Sequence, residues 1–135
     1  MKASIIRDVL SIARNKLPNH PQLDCYPHYA FIIQNNKVIE WATNVSHTPP
    51  IHLGYHKKFT DSSGPKYHAE LFAYKRARPL LDNDEPFEVI NLRLNKAGTL
   101  KLSRPCPACY NFLSVVNCRA IHYSSEVGFL KLRAN

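Results

Sequence analysis

The sequence predicts an α/β arrangement in which helices cover a central sheet. Three observations carry this. Apolar residues recur at helical spacing in three segments and as strand-like runs in five, in the order α-β-β-α-β-α-β-β. A length of 135 residues allows one domain, 1–135, and leaves no room for two. The composition, 44% hydrophobic and 21% charged, is ordinary for a chain that can fill a core, which excludes a disordered tail.

Residues 1–17 read as the first helix, with Ile5, Ile6, Val9, Leu10, Ile12, Ala13 and Leu17 on a broad apolar face that Pro18 ends. A Pro-punctuated loop follows over 19–27. The aromatic and β-branched run 29–34 reads as a buried strand. Asn35-Asn36 reads as a tight turn and 37–43 as the second strand of a hairpin. Residues 45–66 hold Pro49-Pro50, Ser62-Ser63-Gly64-Pro65, three His and three Lys, and loops of that length are often functional. A second helix is expected over 68–78, stopped by Pro79, then a strand over 87–94. Residues 106–117 read as a short helix started by prolines. Residues 119–123 and 127–132 read as two strands whose short link, Ser124-Ser125-Glu126, makes them antiparallel.

The longest uninterrupted apolar run is Tyr29 to Ile33, five residues, against the ~20 that span a bilayer, so no membrane partner is expected. The first eight residues carry charges where a signal peptide needs an apolar block, so export is not expected. Of four cysteines only Cys106 and Cys109 are closely spaced, which reads as metal-binding or redox-active in a reducing, cytoplasmic setting. The balance of 18 Lys and Arg against 10 Asp and Glu gives +8 and points to an anionic partner, nucleic acid or nucleotide.

Two motifs stand at the starts of two helices: His68-Ala69-Glu70 and Pro105-Cys106-Pro107-Ala108-Cys109. Two cysteines three apart at a helix start point their sulfurs the same way. The positive end of the helix favours their thiolate forms. With one imidazole they make a soft, three-ligand set that suits zinc. Catalytic zinc sites keep the fourth position open, and zinc lowers the pKa of water there toward ~7. Glu70 is two residues from His68, placed to sit beside the metal and move protons. Either motif alone is weak. The ordered pair is strong, because the 35 residues from Glu70 to Pro105 accommodate one helix, one strand and a loop.

This combination resembles the zinc-dependent cytidine deaminase superfamily, whose signature is H-x-E followed by P-C-x-x-C. The resemblance covers nearly the whole chain. It implies a three-layer fold, with a five-stranded mixed sheet, helices on both faces and the last two strands antiparallel. It implies that His68, Cys106 and Cys109 bind zinc and that Glu70 is the general acid and base of a hydrolytic deamination. The family commonly places an Asn after the second strand, facing the sugar. Asn44 occupies that place, 24 residues before His68 and further than is common in the family. Ala69 within the first motif, and Tyr67, Ser103, Arg104, Lys57 and Lys58 around the two motifs, are expected to contact substrate.

Ser103 close to the Pro-Cys, and a terminal hairpin without an intervening helix, resemble the cytidine branch more than adenosine deaminases acting on tRNA. Cytosine is therefore favoured over adenine. The basic charge and the long loop with Lys57, Lys58 and Lys66 favour single-stranded nucleic acid. Free cytidine, deoxycytidine or dCMP is the alternative, and assembly into a homo-oligomer is common among small members of the superfamily. A non-catalytic alternative is a structural-zinc nucleic-acid-binding module, which needs a fourth ligand from Cys25, Cys118 or another His and leaves Glu70 without a purpose. Trp41 and Phe72 read as core, and His122 as a structural histidine. Tyr110 and Phe112 either line a base pocket or pack on the sheet. His47, His52 and His56 read as solvated loop residues.

Overall fold

The computed structural model describes residues 1–17, 28–43 and 69–133. The expected loops at 19–27 and 45–66 lie outside them. In chain order the elements are α1 (Ala3–Lys16), β1 (His28–Gln34), β2 (Lys37–Thr43), α2 (Ala69–Ala77), a 3-10 turn (Arg78–Leu80), β3 (Phe87–Leu94), β4 (Leu100–Lys101), α3 (Pro107–Val115), β5 (Cys118–Ser125) and β6 (Gly128–Arg133). The five expected strands form one sheet in the order β2-β1-β3-β5-β6. β1 is antiparallel to β2 and β3, β3 is parallel to β5, and β5 is antiparallel to β6.

Alternation along the strands gives the sheet two buried faces. On one, Ile5, Val9 and Ala13 of α1 pack against Tyr29, Phe31, Ile33, Ile90, Leu92 and Leu94. On the other, α2 and α3 bring Leu71, Ala73, Phe112 and Leu113 against Ala30, Ile32, Val89 and Ile121. β1 is therefore buried along its whole length, as its unbroken apolar run requires. Trp41 lies over the first face, 6.0 Å from Phe31 and 6.2 Å from Tyr29 between ring centroids. Tyr74 joins α2 to β3 and α3, with its ring 5.6 Å from Phe87 and 5.4 Å from Phe112. Phe72 packs against the same cluster.

Local signals set the element ends. Asn35 and Asn36 both take positive φ, 53° and 61°, as a two-residue hairpin turn of the I′ type demands. α2 gives way to the 3-10 turn at the Arg78-Pro79 pair. The buried amide of Gln34 closes the end of β1 by donating to the carbonyls of Asp82 (2.9 Å) and Glu85 (3.0 Å) and accepting from Asp82 N (2.8 Å).

Two expectations need correction. The sheet has a sixth strand, β4, which pairs antiparallel with the end of β3. It is made by a tight turn in which Asn95 Oδ1 accepts from Ala97 N (3.0 Å) and Thr99 N (2.9 Å), with Gly98 at φ 82°. Two residues carry too little periodicity to announce a strand. The last hairpin turns at Glu126-Val127, because β5 runs two residues further than expected, to Ser125. Ser124 and Ser125 belong to β5 because their hydroxyls bond within the fold, to Lys101 O (2.6 Å) and Gly128 O (2.7 Å).

A bulge at Arg119 shifts the β3–β5 register and sets its side chain beside Glu88. Arg119 Nη2 donates to Glu88 Oε2 (3.0 Å), and His122 Nε2 lies 2.8 Å from Oε1. His122 is thus structural, as expected. Burial pushes the Glu88 carboxyl up, but the bonds and charges of His122 and Arg119 outweigh it and hold the group below its ordinary value. A lowered folded-state pKa adds stability that is full above the unfolded value and is lost as pH falls through the folded one. Glu88→Gln is therefore expected to destabilise by roughly 1–2 kcal/mol at neutral pH. That gap to wild type should close on acidification below about pH 4. Thermal melts at neutral and acid pH check this; an equal gap at both would show that the charge is not what matters.

Among the described residues no helix is long and apolar enough to cross a membrane.

Candidate active site

α2 and α3 begin on the same face of the sheet, and their first turns carry the chemistry. Ala69 is fully buried against the sheet, so α2 approaches closely and Glu70 points inward. The Glu70 carboxylate is only 2% exposed, and its Oε1 has no hydrogen-bond partner among the described residues. His28 Nε2 at the start of β1 lies 3.8 Å from Oε1. An ionised carboxylate in such a place costs stability unless it is compensated.

Cys106 is the N-cap of α3, and its Sγ accepts from Cys109 N (3.4 Å). Pro107 follows at the first helical position, where its missing N–H costs nothing. Cys109 is buried and Cys106 partly exposed. The Cys109 thiol is pushed well above its ordinary value, first by the hydrogen bond with Cys106, then by burial, then by the Glu70 charge. Cys106, Cys109 and Glu70 therefore lie together at the starts of α2 and α3.

Ser103 begins the segment that leads into Cys106. It is buried, and its hydroxyl donates to Asn91 O (2.9 Å), lies 2.8 Å from Ser124 Oγ and accepts from Ser124 N (2.8 Å). This places Ser103 beneath the site, pinning the approach to α3, with its hydroxyl engaged by the sheet. Arg104 is exposed and lines a cleft of about 280 Å³ with Pro105, Pro107, Tyr110, Asn111 and Leu132. Tyr110 faces this cleft and donates to Arg133 O (2.9 Å), whereas Phe112 is core. Cys118 is buried at the head of β5, its thiol donating to Ala120 O (3.4 Å).

No protein-family model and no curated protein matches the sequence. Solved structures do match. The dCMP deaminase of cyanophage S-TIM5, in complex with dCMP and dUMP, aligns with a TM-score of 0.56 at 18% identity over 91% of this chain and 82% of that one. Its apo form aligns at 0.54 and 17%, over 91% and 84%. The cytidine deaminase of Burkholderia pseudomallei aligns with a TM-score of 0.60 at 11% identity, over 99% of this chain and 94% of that one. The chain has the cytidine deaminase-like fold.

In that fold the starts of α2 and α3 bring Glu70 to Cys109. Among the described residues no group of three or more His, Cys, Asp or Glu side chains has metal-holding geometry. The third expected ligand, His68, lies outside the described residues, as do Asn44, Tyr67, Lys57 and Lys58. The donors that are described fit zinc. They are two sulfurs at a helix start, with a buried carboxylate beside them that has an orphaned oxygen.

Three further residues reach this face that the motifs do not announce. His28 adjoins Glu70. Asn91 and Arg93 stand two apart on β3, opposite Ala30 and His28 of β1. Their signal is present in the sequence: two polar residues in alternate positions of an apolar strand occupy one face.

Proposed function

We propose that the chain is a zinc-dependent hydrolytic deaminase that converts cytosine to uracil, the base being presented in single-stranded nucleic acid. Glu70 is the observation that carries the reading. This carboxylate is buried, faces His28 at 3.8 Å and keeps an oxygen without a hydrogen bond among the described residues. His68, Cys106 and Cys109 would hold the metal. Zinc in a three-ligand site of this kind supplies Lewis acidity, which brings the pKa of water toward ~7.

Glu70 does the proton work. It takes a proton from the attacking water and gives it to the ring nitrogen as oxygen adds to the amino-bearing carbon. It then carries the remaining hydroxyl proton to the amine. The C–N bond breaks, ammonia leaves and the carbonyl forms, so one water is consumed and Glu70 ends as it began. Burial of Ala69, Glu70 and Cys109 keeps bulk water from competing for those protons. A reducing, cytoplasmic setting keeps both thiols available.

The net charge of +8 and exposed Arg104 beside the cysteines support a polyanionic substrate. A second reading, a mononucleotide substrate, is favoured by the likeness to a dCMP deaminase. One assay separates them: deamination of cytidine, deoxycytidine, dCMP, single-stranded DNA, RNA and the adenosine equivalents, read by mass spectrometry. The strand reading expects oligonucleotide turnover that weakens with salt, at a log–log slope near −0.7 per phosphate contact. Efficient turnover of dCMP with oligonucleotides untouched would replace it by the second reading.

A further inference from the structure

We infer that Arg93 binds the phosphate attached to the nucleotide whose base reacts at Glu70, an inference that rests on the deaminase reading. Arg93 is partly buried at the carboxyl end of β3. Its Nε is shielded from solvent and has no hydrogen-bond partner among the described residues. Its guanidinium appears in none of the ion pairs there. Its cross-strand neighbours are His28 on β1 and Lys101 on β4. Neither supplies a negative charge, and the Lys101 amine is held by Glu126 at 3.0 Å. A guanidinium so placed costs stability unless an anion meets it.

The position fits a nucleotide. β3 has an antiparallel neighbour on one side and a parallel neighbour, β5, on the other. From this end of β3 the chain leads through β4 and Ser103 to Cys106 at the start of α3. Arg93 is one cross-strand step, roughly 5 Å between Cβ atoms, from His28, and His28 Nε2 is 3.8 Å from Glu70 Oε1. A nucleotide whose base reacts at Glu70 would lie along this path for its own phosphate to meet Arg93. Asn91 marks the same face as incomplete. It is fully buried, its Nδ2 donates to Ser103 O (3.3 Å), and its Oδ1 has no partner among the described residues. The Ser103 network fixes this stretch of β3 beneath Cys106, so the guanidinium is presented from a rigid strand. A planar guanidinium offers paired N–H donors to two phosphate oxygens. The phosphate belongs either to a free mononucleotide or to a strand, and both offer the same contact.

The test compares wild type, Arg93→Gln and Arg93→Lys on five substrates. These are deoxycytidine, dCMP, an oligonucleotide with an internal C, and two oligonucleotides whose 5′-terminal C carries a phosphate or a hydroxyl. Arg93→Gln is expected to lose about 10–100-fold in kcat/KM wherever the reacting nucleotide bears a 5′-phosphate, mainly through KM. Substrates without that phosphate should change less than about twofold, and Arg93→Lys should recover part of the loss. Loss on dCMP assigns the phosphate to a mononucleotide, and loss on strands alone assigns it to nucleic acid. The melting temperature of Arg93→Gln should stay level or rise, because a shielded Nε without a hydrogen-bond partner among the described residues is removed. Equal losses with and without phosphate, or no loss on any substrate, would overturn the inference while leaving the deaminase reading intact. Failure of the wild-type protein to deaminate any base would instead remove that reading, and the inference with it.

Discussion

Glu70→Gln is expected to keep its fold and its zinc and to lose turnover by about 10³–10⁴-fold or more. The size follows from the number of proton movements assigned to one group. Glu70 accepts a proton from water, delivers one to the ring and delivers another to the leaving amine. Gln can hydrogen-bond in the same place and can do none of these. The fold should not suffer. Glu70 Oε1 has no hydrogen-bond partner among the described residues, and His28 Nε2 stands 3.8 Å from it. Replacing such a carboxylate by a neutral amide removes a desolvation cost, so the variant should melt at the same temperature or higher. Pre-steady-state deamination, metal content and a thermal melt on the same preparation check all three statements. Substantial residual turnover would end the proton-shuttle role. A variant that lost zinc would instead make Glu70 a ligand.

The candidate site was legible where the chemistry is local. P-C-x-x-C places its two cysteines within one helical turn, so spacing alone brings Cys106 against Cys109. The same holds for Asn35-Asn36, whose positive φ values follow from the residues themselves, and for the end of α2 at Pro79. What the sequence left unread depends on register between distant strands. Arg93 meets His28 across 65 residues of chain only because β1 pairs with β3 in one particular alignment. Ser103 looks like a residue at the mouth of the site until Ser124, 21 positions away, takes its hydroxyl. β4 was hidden for another reason: its two residues are held by the Asn95 turn and by the β3 edge, with no periodicity of their own. Alternation finds which residues share a face, but the turn lengths and bulges that decide which faces meet, such as the one at Arg119, are tertiary outcomes.

Metal content supplies the other large effect. The purified protein is expected to carry about one zinc per chain, and Cys109→Ser to carry none and to be inactive. Cys106 and Cys109 share one hydrogen bond at the start of α3, and Glu70 lies against them. A cation held by Cys106 and Cys109 binds the folded state and not the unfolded one, so metal should stabilise the fold as well as serve chemistry. At a thousandfold excess over Kd the linkage is roughly 4 kcal/mol. For a chain of this size that is a fall in Tm on the order of 10–15 °C when a chelator strips the metal. Cys118→Ser is the internal control. Cys118 is as buried as Cys109, and burial pushes its thiol up to about 12, yet its bond goes to Ala120 O inside β5. It has no part in the proposed ligand set, so its serine variant should lose some packing and retain its zinc. Elemental analysis of the three proteins, with melts before and after chelation, gives the answer. Zinc retained by Cys109→Ser, or lost by Cys118→Ser, would move the metal away from the start of α3 and turn the site into the closed, structural kind.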